Sequence, residues 1–202
     1  MLFEAVLFGL AAGLMLGGSL KSLAKASFRC LPLIFLAAAI DFAMSTKLGV
    51  MAAALGGWAV ITATLLQTLL LLVFVLGNMD KPPLWLIGLG GMMNSAAILA
   101  NSGMMPISPQ ILVLAPDSQY TLTLLAGKVA NYTLASPATK LLFLSDIIPY
   151  RGFTFYMISA GDMVTSAGLI ILIISLMQAY SPKHTFYPSK VFDTLDDPPS
   201  SD

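Results

Sequence analysis

Residues 58–77 read WAVITATLLQTLLLLVFVLG, a run of twenty residues without a charged side chain. A helix rises about 1.5 Å per residue and the hydrocarbon core of a bilayer is about 30 Å thick, so this run has the length of a membrane-spanning helix. The whole chain of 202 residues is 57% hydrophobic and 10% charged, whereas soluble domains carry about 25% charged residues. The sequence therefore predicts an all-α integral membrane protein with about five transmembrane helices.

Four other apolar segments are predicted spans of the same membrane domain, which covers 1–180. They are 1–19, 30–46, 84–103 and 153–180. Gly56 and Gly57 separate the central span from the apolar residues 48–57, which we interpret as a half-turn or re-entrant piece. Residues 181–202 end in DDPPSSD, and this polar composition predicts a disordered cytoplasmic tail.

The long segment 104–152 contains five prolines, which remove backbone donors and prevent one continuous helix. It also contains apolar stretches that could lie at the membrane surface. We therefore expect an outer segment that is partly interfacial or re-entrant.

The orientation follows from the lysines and arginines of the connecting loops, which are enriched on the cytoplasmic side. With five spans, one side would hold Lys21, Lys25, Arg29, Lys81, Lys183 and Lys190. The other would hold Lys47, Lys128, Lys140 and Arg151. This bias predicts the N-terminus and the segment 104–152 outside and the tail in the cytoplasm.

A small set of polar residues falls in or beside the apolar spans, where ionisable groups are costly and usually face the interior of the bundle. The predicted depths bring them together in the outer half of the bundle, under the outer segment. This candidate functional cluster consists of Asp162, Asp146, Asn101, Asn94, Asp41, Ser159 and Ser108. Interhelical hydrogen bonds and helix caps are the alternative role for such residues.

Gly9, Gly13 and Gly17 recur at every fourth residue, which places them on one helical face that another helix can approach closely. We expect partners to be the lipid bilayer and either other membrane subunits or a second copy of the chain through this face. The formal net charge is zero, so nucleic acid is not an expected partner. The one cysteine, Cys30, excludes an internal disulfide and a cysteine-based metal cluster. No cofactor and no metal are predicted.

Three stretches carry a family resemblance: NSGMMPISP at 101–109, TKLLFLSDIIP at 139–149 and ISAGDMVT at 158–165. They resemble the signature segments of a family of small bacterial multi-pass membrane proteins of unknown function. The resemblance implies a multi-pass protein of the bacterial cytoplasmic membrane and implies no activity. The chain departs from the family pattern at Ser102 and Ser145, where Gly is expected, and at Asp41.

Three functions are compatible with these features. A non-catalytic subunit or assembly factor of a membrane complex is favoured slightly over a protein that binds or transports a small ligand or ion at a pocket around Asp162. An intramembrane aspartyl hydrolase ranks third, because AGD at 160–162 resembles the Gly-x-Gly-Asp motif of such enzymes but Ser159 replaces the first glycine. The sequence therefore favours a role without enzymatic activity.

Overall fold

The computed structural model describes residues 1–126, 131–153 and 155–179, which are mostly helical. The helices of this part are α1 Leu2–Met15, α2 Leu20–Ala24, α3 Leu31–Met44, α4 Lys47–Ala54, α5 Gly57–Gly77, α6 Leu84–Ala100, α7 Ile111–Leu114, α8 Gln119–Leu125 and α9 Ala160–Gln178. The strands are β1 Met105–Ile107, β2 Tyr132–Leu134, β3 Ile148–Arg151 and β4 Phe155–Ile158, and Leu142–Leu144 form a 3₁₀ helix. The predicted tail, 181–202, lies outside the described residues.

Two of these helices are long and apolar enough to cross a bilayer. They are α5, with 21 residues and a mean hydropathy of 2.5, and α9, with 19 residues and a mean hydropathy of 1.9. The pair α3 and α4 would be a third if it is one span broken by a bend of 75°. The apolar helices α1 and α6 are shorter, with 14 and 17 residues. The fold is therefore compatible with a helical membrane protein, with two or three candidate spans among the described helices.

Several elements differ from the sequence prediction. The first helix ends at Met15 rather than at residue 19, and Gly17 has a φ of 81°, which cannot continue a helix. Residues 155–158 were predicted to be part of a helix. They form strand β4 instead, which pairs antiparallel with β3. The outer segment also contains β1 and β2, which pair in parallel. The chain is thus helical in its apolar segments and locally extended in the outer segment.

The segments that connect the helices lie at the two ends of the helical bundle. At one end the Ser19 N–H donates to the Met177 carbonyl at 3.0 Å, and the Arg29 N–H donates to Asn78 Oδ1 at 2.8 Å. At the other end the Tyr156 hydroxyl donates to Glu4 Oε2 at 2.6 Å. One apolar cluster joins Phe74 near the end of α5, Leu84 at the start of α6 and Leu172 in the second half of α9. The helices α1, α5 and α9 therefore run in one direction, and α3 and α6 run in the other.

The helix pair α1–α9 packs through glycines. A Cβ on Gly9 would lie 3.1 Å from the Ile173 side chain, and one on Gly13 would overlap Met177. Gly17 lies beyond the end of α1 and is not part of this face, contrary to the prediction. Because α9 of the same chain covers Gly9 and Gly13, a second copy or another subunit would have to use a different surface.

The pair α6–α9 is packed more closely still. A Cβ on Gly90 would overlap the Gly161 carbonyl and Thr165, and one on Gly168 would lie 2.8 Å from Leu86 Cβ. Near the opposite end a buried apolar cluster joins α5, α6 and α9 through Phe74, Val75, Leu84 and Leu172. The outward faces carry large apolar side chains, among them Phe3, Phe8, Trp58 and Leu69, which are more than half exposed. Such surfaces are compatible with contact to lipid.

Gly90→Ala is expected to destabilise the fold by about 1–3 kcal/mol, because the new methyl group forces α6 and α9 apart. Gly77→Ala is the matched control, since its Cβ would meet only Cys30 Sγ at 3.9 Å. Thermal unfolding of both variants in detergent measures the difference. Equal midpoints for the two variants would contradict the close α6–α9 contact.

Candidate functional site

Asp162 and Ser159 form a reciprocal cap at the first turn of α9. The Asp162 N–H donates to Ser159 Oγ at 2.9 Å, and the Ser159 N–H donates to Asp162 Oδ2 at 3.1 Å. The first amide groups of a helix have no partner within the helix, so this Ser-x-x-Asp sequence satisfies two donors at once. A carboxylate at this position is also favoured by the helix dipole.

Asn94 of α6 joins this cap to the neighbouring helix. Its Nδ2 donates to Asp162 Oδ1 at 2.8 Å, and its Oδ1 accepts from the Ser159 hydroxyl at 2.7 Å. A Cβ on Gly161 would overlap the Asn94 amide, so only glycine leaves room for this contact. Both carboxylate oxygens of Asp162 therefore accept a hydrogen bond from the protein.

Asp146 comes from the outer segment, between the 3₁₀ helix and β3. Its backbone is fixed to the region of β1: the Asp146 N–H donates to the Pro106 carbonyl at 3.0 Å, and its own carbonyl accepts from the Ser108 N–H at 2.9 Å. Its side chain is 6% exposed. Oδ1 has no hydrogen-bond partner within the described part of the chain.

The electrostatic surroundings of Asp146 favour its neutral form. Burial, and secondarily the negative charge of Asp162, raise the pKa of Asp146 to about 8. At neutral pH this carboxyl group therefore holds a proton.

A cavity of about 460 Å³ lies between α3, α5, α6, α9 and the outer segment. Asp41, Asp146 and Asp162 all line it, and apolar side chains such as Ile34 and Leu71 form other parts of its wall. A smaller cavity of about 320 Å³ shares Asp146 and Asp162 with it and is lined by Tyr156 as well. The structure thus collects three carboxyl groups from three separate parts of the chain around one space.

Asp41 is the most exposed of the three. It lies in α3, and Gln67 Nε2 of α5 donates to its Oδ1 at 3.3 Å. This hydrogen bond joins α3 and α5, which run in opposite directions. Asp41 is therefore held in place from α5 while it lines the cavity.

The predicted cluster is brought together only in part. Asp41, Asn94, Asp146 and Asp162 share the cavity, whereas Ser159 is fully buried beside Asn94. The remaining two residues, Asn101 and Ser108, do not line the cavity.

Asn101 and Ser108 make local contacts with the outer segment. Asn101 Nδ2 donates to the Lys140 carbonyl at 2.8 Å, and its Oδ1 accepts from the Lys140 N–H at 2.9 Å. Ser108 Oγ accepts from the Gln110 N–H at 3.3 Å at the start of α7. The structure therefore does not bring the side chains of Asn101 and Ser108 to the cavity with Asp162, although the Ser108 backbone is bonded to that of Asp146.

Sequence reasoning missed two buried polar residues that organise the fold. Asn78 is fully buried and donates from Nδ2 to the carbonyls of Arg29 and Phe74, at 2.9 and 2.8 Å. Glu4 in α1 accepts from the Phe153 N–H at 2.9 Å as well as from Tyr156. An acidic side chain inside an apolar helix indicates that a polar partner lies near it. In this sequence Glu4 is such a residue.

Residues 25–174 match the model of a family of unknown function, DUF5317. The chain belongs to this family. No curated protein and no solved structure matches it. The match agrees with the resemblance to an uncharacterised family, and the DUF5317 range includes Asp41, Asn94, Asp146 and Asp162. It does not include α1 or α2.

Asn94→Ala is expected to destabilise the protein by about 1–3 kcal/mol, because Asp162 loses a donor and the buried Ser159 hydroxyl loses its acceptor. Ser175→Ala is the control on α9, since within the described residues that exposed hydroxyl bonds only to the Ile171 carbonyl of its own helix. Its effect should stay within about 0.5 kcal/mol. The measurement is thermal unfolding of the detergent-solubilised protein. An unchanged midpoint for Asn94→Ala would refute the role of Asn94 as a bridge between α6 and α9.

The contribution of Asp146 to the free energy of unfolding is expected to fall as the pH rises from 3.8 toward about 8. In this window the folded state keeps the Asp146 proton that the unfolded chain has lost, so the free energy of unfolding decreases with pH. One proton gives a slope of at most about 1.4 kcal/mol per pH unit. Asp146→Asn should flatten this dependence.

Asp80→Asn is the control for the pH series, because the Lys81 side chain lowers the pKa of the exposed Asp80 and its titration lies below the window. The midpoint of unfolding is followed across the pH series for all three proteins. A slope that Asp146→Asn leaves unchanged would show that another group causes it.

Proposed function

We propose that this DUF5317 member is a five-span protein of the bacterial cytoplasmic membrane that binds a small polar ligand in the cavity between α3, α5, α6 and α9. The observation that carries the proposal is the cavity of about 460 Å³ with Asp41, Asp146 and Asp162 in its wall. Ionisable residues within a bundle of apolar helices are costly and usually mark ligand or ion pathways. Pockets of this size that combine apolar walls with a few polar groups are typical ligand sites.

The alternation of helix directions supports five spans. Helices α1 and α6 would each cross with about 21 to 26 Å of helix, which is shorter than the average hydrocarbon core. Local thinning of the bilayer and the residues that flank each helix accommodate such a mismatch at modest cost. The short helices are therefore compatible with crossing beside the two longer ones.

The loop charges support the proposed orientation. The end at which Asn78 binds Arg29 also carries Lys21, Lys25 and Lys81, and such clusters mark the cytoplasmic side. The outer segment, with Asp146, would then cover the cavity from outside. The ligand would accordingly enter from the outer side.

The accessory-subunit interpretation is the second candidate. The outer segment exposes the apolar side chains of Val113, Leu122, Leu125 and Phe143, and a partner subunit could cover them. The native mass after mild detergent extraction, with identification of co-purifying proteins, tests this role. A stoichiometric partner would support it, and a lone monomer or homo-oligomer would refute it.

The aspartyl hydrolase interpretation fits the geometry least well. Such enzymes use two carboxyl groups that share a proton and activate one water. Here Asp162 is bound on both oxygens by Asn94 and Ser159 and serves as a helix cap. This arrangement favours binding over hydrolysis.

The proposed cavity is tested by thiol accessibility in a Cys30→Ser background. Ser95→Cys places a thiol in the cavity wall, and Leu69→Cys places one on the outward face of α5 as the control. Only the thiolate reacts, so a thiol must meet water to be modified. A membrane-impermeant methanethiosulfonate added to intact spheroplasts should modify Ser95→Cys and leave Leu69→Cys unmodified. An unreactive Ser95→Cys, or one that reacts only in inverted vesicles, would contradict the proposed outward-facing cavity.

A further inference from the structure

We propose that the cavity binds a small organic monocation with an ammonium head and an apolar body, and that this cation binds beside Asp146 in exchange for the proton of its carboxyl group. The inference rests on the proposed ligand-binding function and names the class of ligand. It starts from Asp146 Oδ1, a buried carboxyl oxygen of the cavity wall that has no hydrogen-bond partner among the described residues.

The charges that line the cavity select for a cation. Three carboxyl groups line it, and the described residues in its wall include no lysine, arginine or histidine. The oxygens of Asp162 already accept bonds from Asn94 Nδ2 and the Ser159 N–H. Asp146 Oδ1 has none in the described chain, although the side chain is only 6% exposed. A buried carboxyl oxygen without a donor is costly, and an ammonium N–H would supply that donor.

Other titratable groups face Asp146 from each side, and none of them replaces such a donor. Asp162 faces it from α9, Tyr156 from β4 and Tyr132 from β2, around the smaller cavity. Asp41 lies on α3 across the larger cavity. The Met1 amino group lies near the smaller cavity but is paired with Glu4 at 2.8 Å.

In the proposed exchange the positive charge of the bound cation replaces the proton that Asp146 releases. Without a cation, burial and the negative charge of Asp162 keep Asp146 protonated, with a pKa of about 8. A positive charge within a few ångströms favours the ionised carboxyl. The step is therefore R–NH₃⁺ plus Asp146–COOH giving the ion pair R–NH₃⁺ with Asp146–COO⁻, with one proton released to water. No covalent bond other than the carboxyl O–H is broken.

The size and walls of the cavity favour an organic cation over a bare metal ion. The cavity volume is about 460 Å³, whereas a water molecule takes about 30 Å³ of the liquid. Ile34, Leu71 and Ile87 contribute apolar walls that suit an alkyl group. Across the described residues no group of three or more acidic, histidine or cysteine side chains could hold a metal.

The test uses the purified full chain in lipid nanodiscs, with n-butylammonium chloride as the probe. Proton release is followed with a pH indicator in weak buffer at neutral pH, and the carbonyl stretch of protonated carboxyl groups is followed by infrared difference spectroscopy. We expect about one proton released per cation bound and loss of a protonated-carboxyl band. Sodium chloride and neutral butyramide are the ligand controls and should have neither effect.

Asp146→Asn should lack the band, release no proton and bind the probe at least about tenfold more weakly, because the amide cannot form the ion pair. Asp80→Asn, which alters an exposed carboxyl outside the cavity, should behave like the parent protein. The infrared band of the parent protein provides a readout that does not depend on whether Asp146→Asn folds.

The outcomes separate this inference from the proposed function. If Ser95→Cys is modified but n-butylammonium releases no proton and leaves the band unchanged, the proposed cavity is supported and the proposed cationic ligand is refuted. An equal response to butyramide would make the ligand neutral, and an equal response to sodium would make it an inorganic ion. Either result overturns the inference, as does release that persists in folded Asp146→Asn.

Discussion

The hydrogen bonds between Asn94 and the first turn of α9 are the constraint on which the arrangement of the bundle depends. They fix the register of α6 against α9, because a one-turn slip would move Asn94 away from both Asp162 and Ser159. The same register places Gly90 opposite Gly161 and Gly168 opposite Leu86, so that the backbones can approach. The hydrogen bonds that make Asp162 a helix cap therefore also hold its carboxyl group in the cavity wall.

The outer segment determines the other half of the site. Its short strands do not build a separate layer; they tie Asp146 to β1 through backbone hydrogen bonds at Pro106 and Ser108. A loop fixed in this way can hold a buried carboxyl group whose side chain has few partners. The cost of burying that group is met by backbone bonds on either side of it and by its protonation, which removes the charge.

The sequence predicts the long apolar helices α5 and α9 better than the contacts between helices. The apolar runs that form α5 and α9 and the polar residues Asp162 and Asn94 could be found, since composition and helical spacing report on burial. The extended residues 155–158 could not, because their strand partner lies in a segment whose apolar residues suit several conformations. The contacts of Asn101 could not be predicted for a related reason: its partners at Lys140 are backbone groups, and backbone groups leave no pattern in a sequence.

The pairing of α1 with α9 has a consequence for how the chain is made. Glu4 and Tyr156 are separated by 152 positions, so α1 is synthesised well before its partners in β4 and α9. Until then Gly9 and Gly13 lack the α9 side chains that they pack against, and the Glu4 carboxyl group lacks the Tyr156 and Phe153 donors. The contacts of α1 with α9 can therefore form only after the 160–178 region has been made, long after α1 itself.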